Sequence, residues 1–289
     1  MPPIVYWNAK LSHNGVTVFK KFEGFTRRIH HHSLANLIHE VTHTNERTLS
    51  PAQSRKCKSY CNKLAYYSAT RMFTSKKSGT HNMRVAFITL TTPKSATYAQ
   101  SLAAFEKFLD YLRRTANCVF VWKKELGEQN RNLHYHILVN NFIPYYIISW
   151  KWKRLLLSEG VVWPTNEKGE HTDSHYRIEL PRSKKLVGSY IAKYMSKAYA
   201  LPRTFGYVFG HSAILDECKE LTMTEGDEFW NELNDIARHS RKIGDDYVVH
   251  MCIDLLHVKA FAPGIGALFE KQYLSFCEAL TMTQKFNTI

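Results

Sequence analysis

Two β-prone runs joined by a short polar segment constrain the fold of this chain more than any other feature of its sequence. Residues 117–125 read NCVFVWKKE, and residues 132–140 read NLHYHILVN. The segment from Gly127 to Arg131 lies between them. Apolar and β-branched runs on either side of a short glycine-containing segment are typical of a β-hairpin. We therefore predict an antiparallel hairpin at the centre of the chain.

The second strand of this hairpin carries a histidine pair, His134-Tyr135-His136. Side chains alternate along a strand, so the two imidazoles point to one face and Tyr135 points to the other. Neutral imidazole is the commonest protein metal ligand, and the pair therefore suits a metal site. The same spacing is also found in ordinary half-exposed strand histidines. On the pair alone, both interpretations stay open.

A second group of reactive side chains lies in residues 184–198, KKLVGSYIAKYMSKA, which we predict to be helical. Tyr190 and Tyr194 are four residues apart and share one face of that helix, with Lys193 and Lys197 beside it. A phenol, with a pKa of about 10, is a poor nucleophile. A metal on the electrophile and cations on a phosphate would make it a good one. The pattern suits covalent attack on a phosphodiester, and it also suits an amphipathic helix with a tyrosine core stripe.

Net charge points to a polyanionic partner. Lysine and arginine number 39 against 25 acidic residues, which gives a formal charge of +14. Nucleic acid is the first candidate, and an anionic membrane surface is the second. No run approaches the roughly 18 apolar residues of a membrane span. The N-terminal MPPIVYWNAK does not resemble a secretory signal, so we expect a cytoplasmic protein with no membrane partner.

Aromatic and basic residues interleave in residues 144–159, PYYIISWKWKRLLLSE. Trp150 and Trp152 could stack on single-stranded bases while neighbouring cations follow the phosphates. Packing of the tryptophans into a core is the simpler single explanation of the pattern. The basic members are Lys151, Lys153 and Arg154.

The order of predicted elements around the hairpin indicates an α+β fold. A strand at 84–92, a helix at 98–114, the hairpin, and then a helix, a strand and a helix predict a central antiparallel sheet with flanking helices. We predict three parts of the chain. They are an N-terminal accessory part at 1–80, a core at 81–212 and a C-terminal extension at 213–289 packed on that core. The accessory part contains a hairpin around Asn14-Gly15 and a basic helix at 51–73, and a polar linker at 74–81 joins it to the core.

Three short motifs now stand in one order: Phe87-Ile88-Thr89-Leu90-Thr91, then His134-Tyr135-His136, then Tyr190 to Lys193. In this order they resemble the motifs of the HUH endonuclease superfamily, specifically its rolling-circle replication initiators (Rep proteins). The segment YIAKYMSK, with two tyrosines, is especially similar to the gene A type initiators of small single-stranded DNA phages. The resemblance covers residues 84–212.

The resemblance implies a Rep-like fold with a sheet of about five strands and one divalent metal, Mg²⁺ or Mn²⁺. The metal would bind His134, His136 and a third, acidic ligand. Hairpin geometry proposes Glu125 for that ligand, because a short turn brings it alongside the histidines; Glu128, in the turn, is the alternative. A hard oxygen donor beside two imidazoles suits either ion.

The resemblance also implies an activity and its partners. Tyr190 would attack single-stranded origin DNA, leaving a 5′-phosphotyrosine link and a free 3′-OH, and the strand would later be religated. Lys193 would steady the phosphate, and Tyr194 would be either a second nucleophile or a packing residue. No Walker A motif occurs in the sequence, so a host helicase and DNA polymerase are the expected partners, in a bacterial host cell infected by a phage or carrying a plasmid. The residues expected to contact DNA are Lys184, Lys185, Lys197, Lys151, Lys153 and Arg154.

Other classes of protein remain as alternatives. A conjugative relaxase usually carries its tyrosine before its histidines, whereas Tyr190 follows His136 here. A short single-tyrosine transposase has the observed order but usually a much shorter chain. A nucleotide hydrolase of the His-x-His-x-His kind would need a histidine where Leu138 stands. A non-catalytic basic nucleic-acid-binding protein would bind DNA without a metal and without either tyrosine.

Overall fold

The computed structural model describes most of the central part of the chain and several segments on either side of it. The described residues are 5–12, 15–22, 46–47, 49–68, 71–75, 79–83, 85–127, 132–163, 176–179, 195, 201–202, 206–217, 221–244, 248–252 and 255–286.

Strands and helices alternate along these residues. The strands are β1 Val5–Ser12, β2 Gly15–Phe22, β3 Glu46–Arg47, β4 Arg71–Ser75, β5 Gly79–Met83, β6 Ala86–Thr91, β7 Phe120–Leu126, β8 Leu133–Val139, β9 Tyr176–Glu179, β10 Leu201–Pro202, β11 Phe209–His211, β12 Leu221–Thr224, β13 Arg241–Gly244 and β14 Val248–Cys252. The α-helices are α1 Pro51–Tyr67, α2 Tyr98–Arg114, α3 Tyr145–Ser158, α4 Ile214–Glu217, α5 Glu232–His239 and α6 Pro263–Phe286. A 3-10 helix spans Leu255–Ala260.

The chain forms two compact units. One is drawn from Met1–His43 and Asp216–Leu280, and the other from Thr44–Leu215 and Thr281–Ile289. The predicted boundaries at residues 80 and 212 stay predictions.

The first unit contains a five-stranded antiparallel sheet in the order β12-β1-β2-β14-β13. Ser12 pairs with Gly15 across the first hairpin, which confirms the predicted hairpin but places Gly15 in the second strand rather than in the turn. Ala9, Leu11 and Val16 are fully buried on one side of this sheet. The sheet therefore joins the N-terminal hairpin to strands that come more than 200 residues later.

The second unit contains the predicted hairpin in a five-stranded sheet, in the order β11-β7-β8-β6-β9. Every neighbouring pair in it is antiparallel. The predicted α+β fold on an antiparallel sheet is thus confirmed.

Helices α2 and α3 cover one face of this sheet. The capping box formed by Thr97 and Gln100 begins α2, because each residue satisfies a backbone N–H group that the first turn leaves unpaired. Burial at Phe105, Phe108 and Leu112 places one stripe of α2 in the core. On α3 the corresponding stripe is Ile148, Trp152 and Leu156. Both stripes pack into one cluster with the sheet residues Leu90, Tyr135 and Ile137.

Helix α1 packs against β7 and β11. Its buried side includes Cys57, Cys61 and Leu64, and the Cys57 thiol donates a hydrogen bond to the Met195 carbonyl at 3.5 Å. Met195 is helical and fully buried. Of the helices in the described ranges, none combines the length and the apolar character needed to cross a bilayer.

Two predictions about residues 51–81 are wrong. Helix α1 ends at Tyr67 rather than near residue 73, and the expected linker at 74–81 is instead part of a two-stranded hairpin of β4 and β5. Arg71–Ser75 contains β-prone Met72, Phe73 and Thr74, and Gly79 begins the return strand. Residues 74–75 and 79–81 therefore belong to paired strands rather than to a spacer.

Candidate active site

Three neighbouring strands place six polar side chains on one face of the second sheet. On β8, His134 lies opposite Glu125 of β7 and Thr91 of β6, while His136 lies opposite Lys123 and Thr89. Because side chains alternate along a strand, all six point to the same side. They form two rows across the strands, Glu125–His134–Thr91 and Lys123–His136–Thr89.

The two threonines orient the two imidazoles. Thr91 Oγ1 lies 2.9 Å from His134 Nδ1, and Thr89 Oγ1 lies 3.1 Å from His136 Nδ1. A hydroxyl can donate or accept, so each threonine supports either tautomer of its histidine. The two rings lie 6.3 Å apart with an angle of 11° between their planes. Both Nδ1 atoms are thereby engaged, so each ring meets any further partner through its Nε2 atom.

A buried carboxylate and a buried cation complete the rows. Glu125 Oε1 lies 2.8 Å from His136 Nε2, and Glu125 Oε2 lies 3.5 Å from Lys123 Nζ. Lys123 has no exposed surface, and Glu125 and His136 are also buried. Charges removed from water in this way must compensate one another. The Lys123 ammonium therefore favours an ionised Glu125.

Gly127 leaves space beside His134. A Cβ atom at this position would lie 2.5 Å from His134 Nε2 and 3.0 Å from its Cδ2. The backbone N–H of Gly127 donates to the Asn132 carbonyl at 2.8 Å, which closes the base of the hairpin against the histidine. The absence of a side chain thus lets the His134 ring pack against the backbone of Gly127, in the space that a Cβ would fill.

Burial lowers the pKa of His134, with a further lowering from His136 and a smaller opposing effect of Glu125. The lowered pKa favours the neutral ring, which is the form that binds metals. The environment of Tyr135 is different from that of His134. It points to the opposite face, its hydroxyl lies 2.9 Å from Ser101 Oγ, and burial strongly raises its pKa. The phenol within the histidine motif is therefore a core residue.

The donor set fits a divalent metal chemically. Two imidazole nitrogens and one carboxylate are common ligands for such ions, and hydroxyls on the far ring nitrogens are typical outer partners of ligating histidines. Glu125, His134 and His136 would hold the ion. In the arrangement seen, Glu125 is hydrogen-bonded to His136. Among the described residues, no three histidine, cysteine, aspartate or glutamate side chains are arranged to hold a metal ion.

The structure brings together three of the predicted site residues, Glu125, His134 and His136. The basic residues of α3 lie apart from them, and each approaches an aromatic ring: Lys151 that of Tyr111, Lys153 that of Trp163 and Arg154 that of Trp150. Outside the described residues lie Glu128, Lys184, Lys185, Tyr190, Lys193, Tyr194 and Lys197.

Sequence reasoning assigned no role to Thr89, Thr91, Lys123 or Gly127. A signal for the threonines exists, since they alternate along β6 as the histidines do along β8. Lys123 and Glu125 show the same alternation along β7. These patterns acquire meaning only when the pairing of β6 with β8 is known, because the bonded threonines and histidines are more than 40 residues apart.

One comparison with known proteins gives a match. Residues 85–199 match the family model described as "Replication-associated protein ORF2/G2P". No curated protein and no solved structure matches the chain. Over these residues, which are less than half of the chain, the match bears out the similarity to replication-associated proteins and is consistent with a rolling-circle replication initiator. It spans β6 to β9, the strands that carry the candidate site.

Proposed function

We propose that this protein initiates rolling-circle replication by nicking single-stranded origin DNA with a tyrosine and later rejoining the strand. The match of residues 85–199 to replication-associated proteins supports a role in replication and DNA binding. The observation that carries the nickase proposal is the convergence of Glu125, His134 and His136 on one sheet face, with a threonine behind each imidazole. A binding protein has no need of two oriented imidazoles beside a buried carboxylate.

Glu125, His134 and His136 would hold one Mg²⁺ or Mn²⁺ ion. When bound, such an ion polarises the scissile phosphate and offsets the charge that develops on it. Thr89 and Thr91 keep the imidazole rings in a fixed orientation, and Lys123 forms a buried ion pair with the carboxylate. Gly127 leaves the space that the His134 ring occupies.

Tyr190 is the proposed nucleophile. Its oxygen forms a bond to phosphorus as the bond from phosphorus to the 3′ oxygen breaks, and the phenol proton is lost while the 3′ oxygen gains one. One phosphodiester is exchanged for another, so no water is consumed and the reaction can run backwards to religate the strand. Lys193 would steady the phosphate, and Tyr194 would act as the second nucleophile that ends a round. A host helicase and a DNA polymerase would unwind the template and extend the 3′-OH.

Positive charge would supply the general affinity for DNA. Lys184, Lys185 and Lys197 are proposed to contact phosphates near the tyrosines, and Lys151, Lys153 and Arg154 to contact them along α3. Phosphate contacts carry most of the affinity for DNA and are weakened by salt. Binding and nicking should therefore be separable by mutation.

The test is a covalent capture assay. The full chain is incubated with labelled single-stranded origin DNA and Mn²⁺ and then run on a denaturing gel. We expect a labelled protein band that disappears with EDTA and in the double variant Tyr190→Phe, Tyr194→Phe. Tyr207→Phe is the matched control, because this tyrosine is exposed and lies away from the predicted nucleophiles in sequence. If wild-type protein binds the DNA but gives no covalent band, the protein is a non-catalytic binding protein.

A second variant separates the histidine site from the binding surface. We expect His136→Ala to abolish the covalent band while leaving most of the salt-sensitive binding, measured by fluorescence anisotropy. Equal loss of both activities would mean that His136 supports the fold rather than the reaction.

A further inference from the structure

The outward side of α3 carries a stripe of large exposed side chains. Tyr146, Trp150, Arg154 and Leu157 follow one another at intervals of four, four and three residues, so they lie on one side of the helix. The exposed fraction is 61% for Tyr146, 55% for Trp150 and 47% for Leu157. The buried stripe of α3 is formed by other residues, Ile148, Trp152 and Leu156.

The stripe is cationic as well as aromatic. The Arg154 guanidinium lies 4.7 Å from the centre of the Trp150 ring, and Lys153 lies beside it on the helix. The sequence of α3, YYIISWKWKRLLLS, contains no acidic residue. A surface that docks another protein's apolar groove would have a continuous apolar face, whereas here Arg154 lies between Trp150 and Leu157. This combination matches the two parts of a single strand, bases for the rings and phosphates for the cations.

The stripe lies on the side of the sheet away from the histidines. Trp152, on the buried side of α3, packs edge-on against the Tyr135 ring at 5.9 Å and donates from Nε1 to the Thr91 carbonyl at 3.0 Å. Tyr135 and His134 are adjacent in β8 and therefore point to opposite faces. The thickness of the sheet and the width of α3 thus separate the stripe from the candidate active site.

We propose that the stripe of Tyr146, Trp150, Arg154 and Leu157 is a second single-stranded DNA surface, distinct from the histidine face and indifferent to base sequence. The choice of DNA rests on the proposed function. Bases stack on Trp150 and Tyr146, and Arg154, which lies beside Trp150 on the side away from Tyr146, contacts a neighbouring phosphate. The histidine face acts on the strand at the nick, while the stripe holds a separate stretch of unpaired strand.

The test uses the full chain and a fluorescently labelled dT20 oligonucleotide in EDTA, with binding followed by anisotropy. We expect Trp150→Ala to weaken binding roughly 5- to 100-fold, the range typical of losing one stacked base, and Tyr146→Ala to act in the same direction. Trp150→Phe keeps a ring and should bind within about threefold of wild type. Arg154→Gln should lower the slope of log affinity against log salt by about 0.7, the value for one phosphate of a single strand.

Met72→Ala is the matched control, since Met72 is 78% exposed but lies on β4 rather than on α3. It should bind dT20 as wild type does. The proposal is overturned if Trp150→Ala and Tyr146→Ala bind like wild type, or if Met72→Ala loses as much affinity as they do.

The covalent capture assay separates this proposal from the proposed nickase. At saturating DNA, Trp150→Ala should form the covalent band at the wild-type rate, because Trp150 is not part of the histidine site. A wild-type protein that binds dT20 through the stripe but never forms the band would refute the nickase and leave the binding surface standing.

Discussion

Replacement of Gly127 by alanine should disturb His134 and little else. The added Cβ would lie 2.5 Å from His134 Nε2, too close for two unbonded heavy atoms, whereas the Asn132 carbonyl at 3.6 Å is an ordinary contact. Gly127 is not among the glycines with positive φ, so alanine meets no backbone strain there. The imidazole must therefore rotate away, and its bond to Thr91 is stretched or lost.

The size of the effect follows from two opposing contributions. Overpacking costs about 1–3 kcal/mol. Alanine restricts the unfolded chain and returns about 0.4–1 kcal/mol. We expect the free energy of unfolding to fall by about 0.5–2 kcal/mol. In a His134→Ala background the clash is absent, so the same substitution should be neutral or slightly stabilising.

Urea unfolding of the wild type, the two single variants Gly127→Ala and His134→Ala and the double variant, followed by circular dichroism, measures the coupling energy between residues 127 and 134. We expect a coupling energy of about 1–3 kcal/mol, since the whole clash depends on the imidazole. An equal cost of Gly127→Ala in both backgrounds would refute the reasoning. As a second measurement, Mn²⁺ affinity by calorimetry should fall about 10- to 100-fold in Gly127→Ala. This is the usual loss of metal affinity when a ligating histidine loses the hydrogen bond that orients it.

Three further predictions concern neighbouring residues. Thr91→Val should lower Mn²⁺ affinity about 10-fold, measured by calorimetry, because His134 loses the hydroxyl that orients it. The control is Thr92→Val, one residue away, whose hydroxyl bonds to a backbone carbonyl and whose loss should leave the affinity unchanged. A similar fall in both variants would contradict this role of Thr91. Lys123→Met should lower the free energy of unfolding by about 3–5 kcal/mol, because the buried Glu125 loses the ammonium group that pairs with it. Adding Glu125→Gln should restore part of that loss. If the single variant were as stable in urea as the wild type, the Lys123–Glu125 ion pair would not contribute to stability. Trp152→Phe should cost about 1–3 kcal/mol, because the Thr91 carbonyl loses its indole donor and the core loses volume; an unchanged urea midpoint would exclude this link between α3 and β6.

The predictable part of the site lay within the central hairpin. A short connection fixes the register of two strands, so the sequence was enough to place Glu125 opposite His134, as the structure has it. The closest contact of Glu125 nevertheless runs diagonally to His136. Side-chain length and the nearby Lys123 ammonium decide between the two histidines, and neither is visible in strand periodicity.

Long-range pairing was the part that sequence could not supply. Thr91 meets His134 only because β6 pairs with β8 in one register, and a shift of one residue would turn both threonines to the other face. The strands that flank the N-terminal hairpin, β12 and β14, lie far along the chain, so no short turn in the sequence indicates that they pair with it. The β4–β5 hairpin was missed for a local reason, since a polar run with one glycine has the composition of a linker.

The wide separation of β1 from β12 affects the order in which the protein matures on the ribosome. The strands β6, β7, β8 and β9 are complete once residue 179 has emerged, so the histidine face can assemble during synthesis. The N-terminal hairpin, although made first, waits for residues 221–224 and 248–252 before its two open edges are covered. Nascent chains stalled before residue 221 should therefore expose bare strand edges at their N-terminus, which are sites for chaperone binding and for misassembly.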